Sequence, residues 1–226
     1  MKFRTKIFVL SHTTHLLDKL PIEHHIYPVD LGALPVGVFQ NNQLSESRAF
    51  FVDWGLWWVS YIGFASARWD EKFPSVLNLA SLKHLPLRPD MVWCPMKATP
   101  GWIAHSCQWH PGMERLFSEL GELTGQSVED MNLRSTVWCN SFICHKNIFK
   151  DLARFVRRYV QIFYHRYGFN LPFKCFPSCY KTDPYLRHFG FWSERLTAWY
   201  FASRVGLQVC EIPSGLPKLK REDPKG

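Results

Sequence analysis

The chain has 226 residues, of which 46% are hydrophobic and 16% aromatic; that excludes a disordered or fibrous protein and allows one well-cored domain. A formal net charge of +8 and a pI near 9.2 favour anionic partners, whether nucleic acid, phosphorylated small molecules or an acidic membrane surface, without choosing among them. Seven cysteines at irregular spacing, in a chain too long to need staples, argue against a disulfide scaffold and for reduced thiols in a cytosol-like compartment.

KIFVLSH, residues 6–12, reads as a buried first strand that opens into a loop at His12. The Pro- and Gly-rich PIEHHIYPVDLGALPVG is a loop carrying one short strand. LSESRAFFVDWGLWWV then predicts a helix capped by Ser45, with Arg48 in its first turns. VSYIGFASARW (59–69) predicts a buried strand, and DEKFP, with Asp70 and Glu71, a turn after it. Residues 74–100 hold five prolines and alternate short apolar pieces with loops, MVWCP being a further strand. A helix follows from about Gly112 to Leu123.

TVWCNSFICH (136–145) predicts a strand pair, or one strand bent at Asn140. NIFKDLARFVRRYVQIFYHRYG is the clearest helix. Asn147 is its cap, Leu152, Phe155, Tyr159 and Phe163 lie on its apolar stripe, and Gly168 stops it. Lys150, Arg154, Arg157, Arg158 and Arg166 occupy the other face. SERLTAWYFASRVG predicts the last helix, with Ser193 as cap and Glu194 as first helical residue, and LQVCEIP a final strand. Strands alternating with helices imply a single α/β layered domain over residues 1–215, followed by a polar tail at 216–226. The richest apolar stretch is interrupted by Asp53 and Ser60 and falls short of a membrane span, and IFVL is too short for a signal-peptide core. A soluble, cytoplasmic protein is the expectation.

The commonest enzyme fingerprints are missing. There is no GxGxxG after the first strand, no GxxxxGK[ST], no GxSxG and no HExxH. Polar residues at strand ends are what is left, and ligand groups collect there in α/β sheets. Asp70 and Glu71 either hold Mg²⁺ or Mn²⁺ against a diphosphate or form a solvated turn. His12 is a ligand contact or a satisfied structural group; Arg48 is a phosphate contact or a helix-surface cation. Asn140, polar in an apolar strand, satisfies backbone groups or reaches a ligand. The basic Lys150–Arg166 face grips nucleic-acid phosphates or is simply solvated. Glu194 either opens a helix, where a carboxylate is favoured, or faces a sugar.

Several of these stretches together resemble bacterial and viral capsular or exopolysaccharide glycosyltransferases of a small GT-A-like type. KIFVLSH is similar to that family's first strand ending in Ser/Thr-His. LSESRAFFVDWGLWWV is similar to its Ile/Leu-Ser motif before an aromatic run, and YIGFASARW to its Tyr-hydrophobic-Gly strand. CNSFICHK is similar to its Asn-bearing strand, and RHFGFWSERL to its Gly-Phe-x-Ser-Glu-Arg-Leu element. The blocks keep the family's order and cover most of the chain. The His-Tyr-Arg-Arg run that usually follows the Tyr-hydrophobic-Gly strand is replaced by ASAR, which keeps Arg68, and there is no Asp-x-Asp.

The resemblance implies a GT-A nucleotide-sugar fold with a mixed central sheet flanked by helices. It implies transfer of a sugar from a nucleotide-diphosphate donor to a glycan or glycoprotein acceptor, in the cytoplasm (host cytoplasm if the source is viral). His12, Arg48, Arg68, Asn140 and Arg195 would contact the donor, Asp70 would hold Mn²⁺ or Mg²⁺, and Glu194 would be the base or would position a sugar. The alternative reading is a noncatalytic domain that binds nucleotide, carbohydrate or, through its basic face, nucleic acid.

Overall fold

In the computed structural model, residues 5–11, 14–20, 23–31, 45–174 and 188–214 are described. In chain order the strands are β1 Thr5–Ser11, β2 Ile26–Asp30, β3 Tyr61–Ser66, β4 Met91–Cys94, β5 Lys97–Ala98, β6 Thr136–Val137, β7 Phe142–His145 and β8 Gln208–Glu211. The α-helices are α1 Thr14–Leu17, α2 Trp69–Lys72, α3 Trp102–Trp109, α4 Met113–Thr124, α5 Val128–Asn132, α6 Lys146–Tyr167 and α7 His188–Ser203. Six strands form one sheet in the order β2-β1-β3-β7-β4-β8, and β5 pairs with β6 beside it. β1 is parallel to β2 and β3, and β4 to β8; β7 runs antiparallel to both β3 and β4. Five strands therefore point the same way and one is reversed, which is the expected mixed sheet.

Period-2 alternation divides the strand side chains between two cores. Phe8, Leu10, Ile62, Phe64, Val92, Phe142 and Cys144 face the larger core, built with α4, α6 and α7. Ile7, Val9, Ala65, Trp93 and Ile143 face the smaller one, closed by Trp69, Leu79 and Leu82. The sheet is thus covered on both faces, so its strands read as near-continuous apolar runs. Gly63 is required at the middle of β3: a Cβ there would lie 2.8 Å from Ile143 Cγ1 and 3.3 Å from the Phe142 carbonyl oxygen.

Several elements depart from the sequence reading. The helix expected from Ser45 is two short 3-10 segments, Ser45–Phe51 and Leu56–Trp58, divided at Gly55 with φ 56°. Local bonds win there: Trp54 Nε1 donates to the Ala49 carbonyl at 2.8 Å, and Gly55 N donates to Asp53 Oδ1 at 3.1 Å. The sequence reading of residues 101–132 also missed α3 and α5. Ser127 caps α5 by accepting from Asp130 N, and Asn132 Oδ1 accepts from Ile103 N and Ala104 N at the start of α3. α6 ends at Gly168 as expected, but its cap is His145, whose Nδ1 accepts from Asn147 N at 3.3 Å.

The largest correction concerns α7. Ser193 is not its cap and Glu194 is not its first residue, because the helix is already formed at His188. Phe189 and Trp192 are already buried in its first turns, Trp192 packing edge-on against Phe117 and Phe163. Burying those rings is worth more than a serine cap, so the helix starts earlier. Ser193 Oγ bonds the Gly190 carbonyl inside the helix, at 2.8 Å.

Candidate functional site

A pocket of about 300 Å³ opens at the carboxyl edge of the parallel strands. α2, following β3, brings Lys72 and then Phe73; Met96 follows β4; and Trp138 to Ser141 lead from β6 into β7. Glu194 reaches in from the middle of α7. This is the crevice beyond the strand ends where open α/β sheets bind ligands. One wall is fixed by Trp138 N, which donates to the Met96 carbonyl at 3.0 Å. At the floor, Cys139 holds φ 61°, an uncommon conformation for a residue other than glycine, and so turns the chain toward β7. Burial pushes the Cys139 thiol up to about 12, the Glu194 carboxylate adding to the effect and Lys72 opposing it.

Asn140 is buried and links three segments. Its Nδ2 donates to Ser47 Oγ at 2.7 Å, and its Oδ1 accepts from Thr197 Oγ1 at 2.8 Å. Ser193 Oγ lies 2.5 Å from Ser47 Oγ and closes the network. Asn140 therefore bonds side-chain hydroxyls rather than the backbone groups expected from the sequence, and it also lines the pocket. Ser47, Ser193 and Thr197 were missed by the sequence reading; the signal for two of them is a pair of small hydroxyls four residues apart in an otherwise apolar helix.

Arg195 sits behind the pocket. Its guanidinium lies 4.1 Å from the Trp138 ring centroid and 3.9 Å from Glu194 Oε2, with the arginine side chain 6% exposed and the glutamate 22%. The arginine thereby packs on an aromatic wall and lies within ion-pair range of a carboxylate. From Trp138 an aromatic row continues outward. His105 lies 5.6 Å from Trp138 and 6.1 Å from Trp109, which is 50% exposed.

The remaining expected residues are dispersed. His12 lies outside the described residues. Arg48 is buried next to Ser47, where burial lowers its pKa and the Asp30 carboxylate at the end of β2 opposes that. Arg68 is exposed and donates to Glu71 at 2.7 Å, one turn before Lys72. Asp70 is exposed on α2 and is not among the pocket-lining residues. Among the described residues no group of three His, Cys, Asp or Glu is placed to hold a metal ion. The basic face of α6 is exposed at Lys150, Arg154 and Arg158 and partly neutralised, Arg154 pairing with Asp151 and Arg166 with Glu119. No described helix is long and apolar enough to cross a membrane.

No protein-family model matches the chain, and no curated protein matches it by sequence. Among solved structures it is similar to the apo structure of the WbbM bifunctional glycosyltransferase, with a TM-score of 0.62 and 13% identity over 95% of this chain. The chain spans 45% of that protein's chain. At that identity the likeness concerns the fold: a six-stranded mixed sheet between helices, in a glycosyltransferase-like arrangement.

Proposed function

We propose that the chain transfers a sugar from a nucleotide-diphosphate donor to a glycan or glycoprotein acceptor. The observation that carries this reading is the convergence of Glu194 and Asn140, from α7 and the start of β7, on one pocket at the carboxyl edge of a glycosyltransferase-like sheet. In the proposed reaction the acceptor hydroxyl attacks the anomeric carbon as its proton passes to the Glu194 carboxylate. The bond from that carbon to the diphosphate oxygen breaks, and its electron pair leaves with the nucleoside diphosphate. Glu194 is the pocket's one carboxylate among the described lining residues, which suits a general base in a single displacement. Arg195 holds it in place, and the Phe73 and Trp138 rings offer apolar faces to a sugar. His105 and Trp109 extend that aromatic surface outward from Trp138.

A thermal-shift panel of nucleotide-diphosphate sugars and free nucleotides tests the reading. One diphosphate sugar should raise the melting temperature progressively with its concentration, and Glu194→Gln should keep that response because the base acts on the acceptor. A well-folded sample that answers to no nucleotide would contradict it.

A further inference from the structure

A departing diphosphate gains negative charge, and a transferase must meet it with fixed positive charge. Neither Asp70 nor Glu71 is among the pocket-lining residues, and Glu71 is engaged by Arg68 at 2.7 Å; Lys72, exposed like them, does line the pocket. No triad of metal-ligating side chains exists elsewhere among the described residues. The pocket does contain a cation of its own. Of the described residues that line it, Lys72 is the one positive group and Glu194 the one negative group.

The turn that carries Lys72 is firmly anchored. Trp69 is buried and its Nε1 donates to the Leu77 carbonyl at 2.9 Å. Lys72 N donates to the Arg68 carbonyl and Phe73 N to the Trp69 carbonyl, both at 2.8 Å, and the Trp69 and Phe73 rings meet edge-on at 5.2 Å. The lysine stem therefore leaves a fixed backbone at the pocket wall. Lys72, Cys139 and Glu194 line the same pocket.

We propose that the Lys72 ammonium binds the diphosphate of the donor in the role of a divalent cation, so that the pocket takes up a diphosphate without metal. The inference rests on the donor reading above. It assigns Lys72 the oxygen that receives the electron pair of the broken anomeric bond, while the acceptor proton goes to Glu194. A lysine suits this task as a compact point charge with three donors.

Calorimetric titration of the whole chain with inorganic pyrophosphate in EDTA tests the assignment. Wild type should bind at one saturable site, and Lys72→Gln should weaken binding about tenfold or more, the scale expected for losing one charge-assisted contact. Lys72→Arg should restore most of it, Arg158→Gln on the outer face of α6 should leave it unchanged, and all variants should melt as wild type does. The assignment is overturned if wild type binds pyrophosphate only with Mn²⁺ or Mg²⁺, or not at all. It is equally overturned if Lys72→Gln binds as tightly as wild type, or if Arg158→Gln removes the site. Pyrophosphate carries neither base nor sugar, so a failure of the nucleotide-sugar panel with pyrophosphate binding intact would strike the transferase reading and leave Lys72 standing.

Discussion

Asn140 shows how one side chain can support both the fold and the site. Its amide joins hydroxyls from the Ser45–Phe51 segment and from α7 just where the chain turns into β7. Asn140→Ala would remove one buried bond each from Ser47 and Thr197, which keep their bonds to Ser193, and should cost about 1–3 kcal/mol, read as a shift in urea midpoint at constant slope. Glu194→Gln is expected to behave differently, because the carboxylate is only half-buried and sits in mid-helix. Its melting temperature should stay near that of wild type while sugar transfer falls by about 10²-fold or more, the usual contribution of a general base. The sequence exposed Asn140 and Glu194 as polar residues in apolar company. It could not expose Ser47, Ser193, Thr197 or Lys72 as their companions, since only the tertiary fold brings those segments together.

His110 carries a second prediction at this scale. Burial among Phe173 and Phe191, with Arg195 and His188 adding like charge, holds its pKa down at about 4, against about 6.5 in an unfolded chain. Between those values the unfolded chain binds more protons, so stability rises with pH across the window and is lost as pH falls from about 6.5 to about 4. His110→Phe should flatten the dependence of melting temperature on pH in that interval. An unchanged slope would show that other groups carry the acid sensitivity.

Among elements, legibility followed the periodic pattern. α6 buries one stripe and exposes the opposite face, so its extent and its stop at Gly168 were readable from spacing. α7 is buried nearly all round and has no polar face to phase it, which is why spacing points to Glu194 as its first residue, six residues after His188. The Ser45–Phe51 segment misled for a different reason: capping signals announced a helix, and side-chain bonds from Trp54 and Asp53 ended it early. Strands β1, β3, β4 and β7 were visible as apolar runs, but their order in the sheet depends on pairings that no local pattern encodes. β3 also supplies a packing test. Gly63→Val would drive two methyl groups toward Ile143 and Ile7, and should destabilise the chain by about 1–3 kcal/mol, measured by chemical denaturation. A neutral result would mean that the β3–β7 contact yields more readily than its spacing indicates.

At the scale of the whole molecule, the reversed strand β7 gives the site its geometry. It places Asn140 and Ser141 at the same edge where β3 and β4 deliver their carboxyl ends, and α7 then crosses behind them with Glu194. The basic residues behind the net charge of +8 include the pocket lysine and an outer α6 face that is partly paired. That face should give duplex DNA only weak binding, in the range of about 10⁻⁴–10⁻⁶ M and falling steeply with salt, as measured by fluorescence anisotropy. Tight, sequence-dependent binding would move the function away from the pocket.

The most direct measurement of the central claim is release of nucleoside diphosphate from a panel of nucleotide-diphosphate sugars, followed for wild type and Glu194→Gln side by side. One donor should be turned over by wild type, and the variant should lose that turnover while keeping its fold and its affinity for the donor. A folded wild-type protein that releases no diphosphate from any donor, or a variant as active as wild type, would contradict the account.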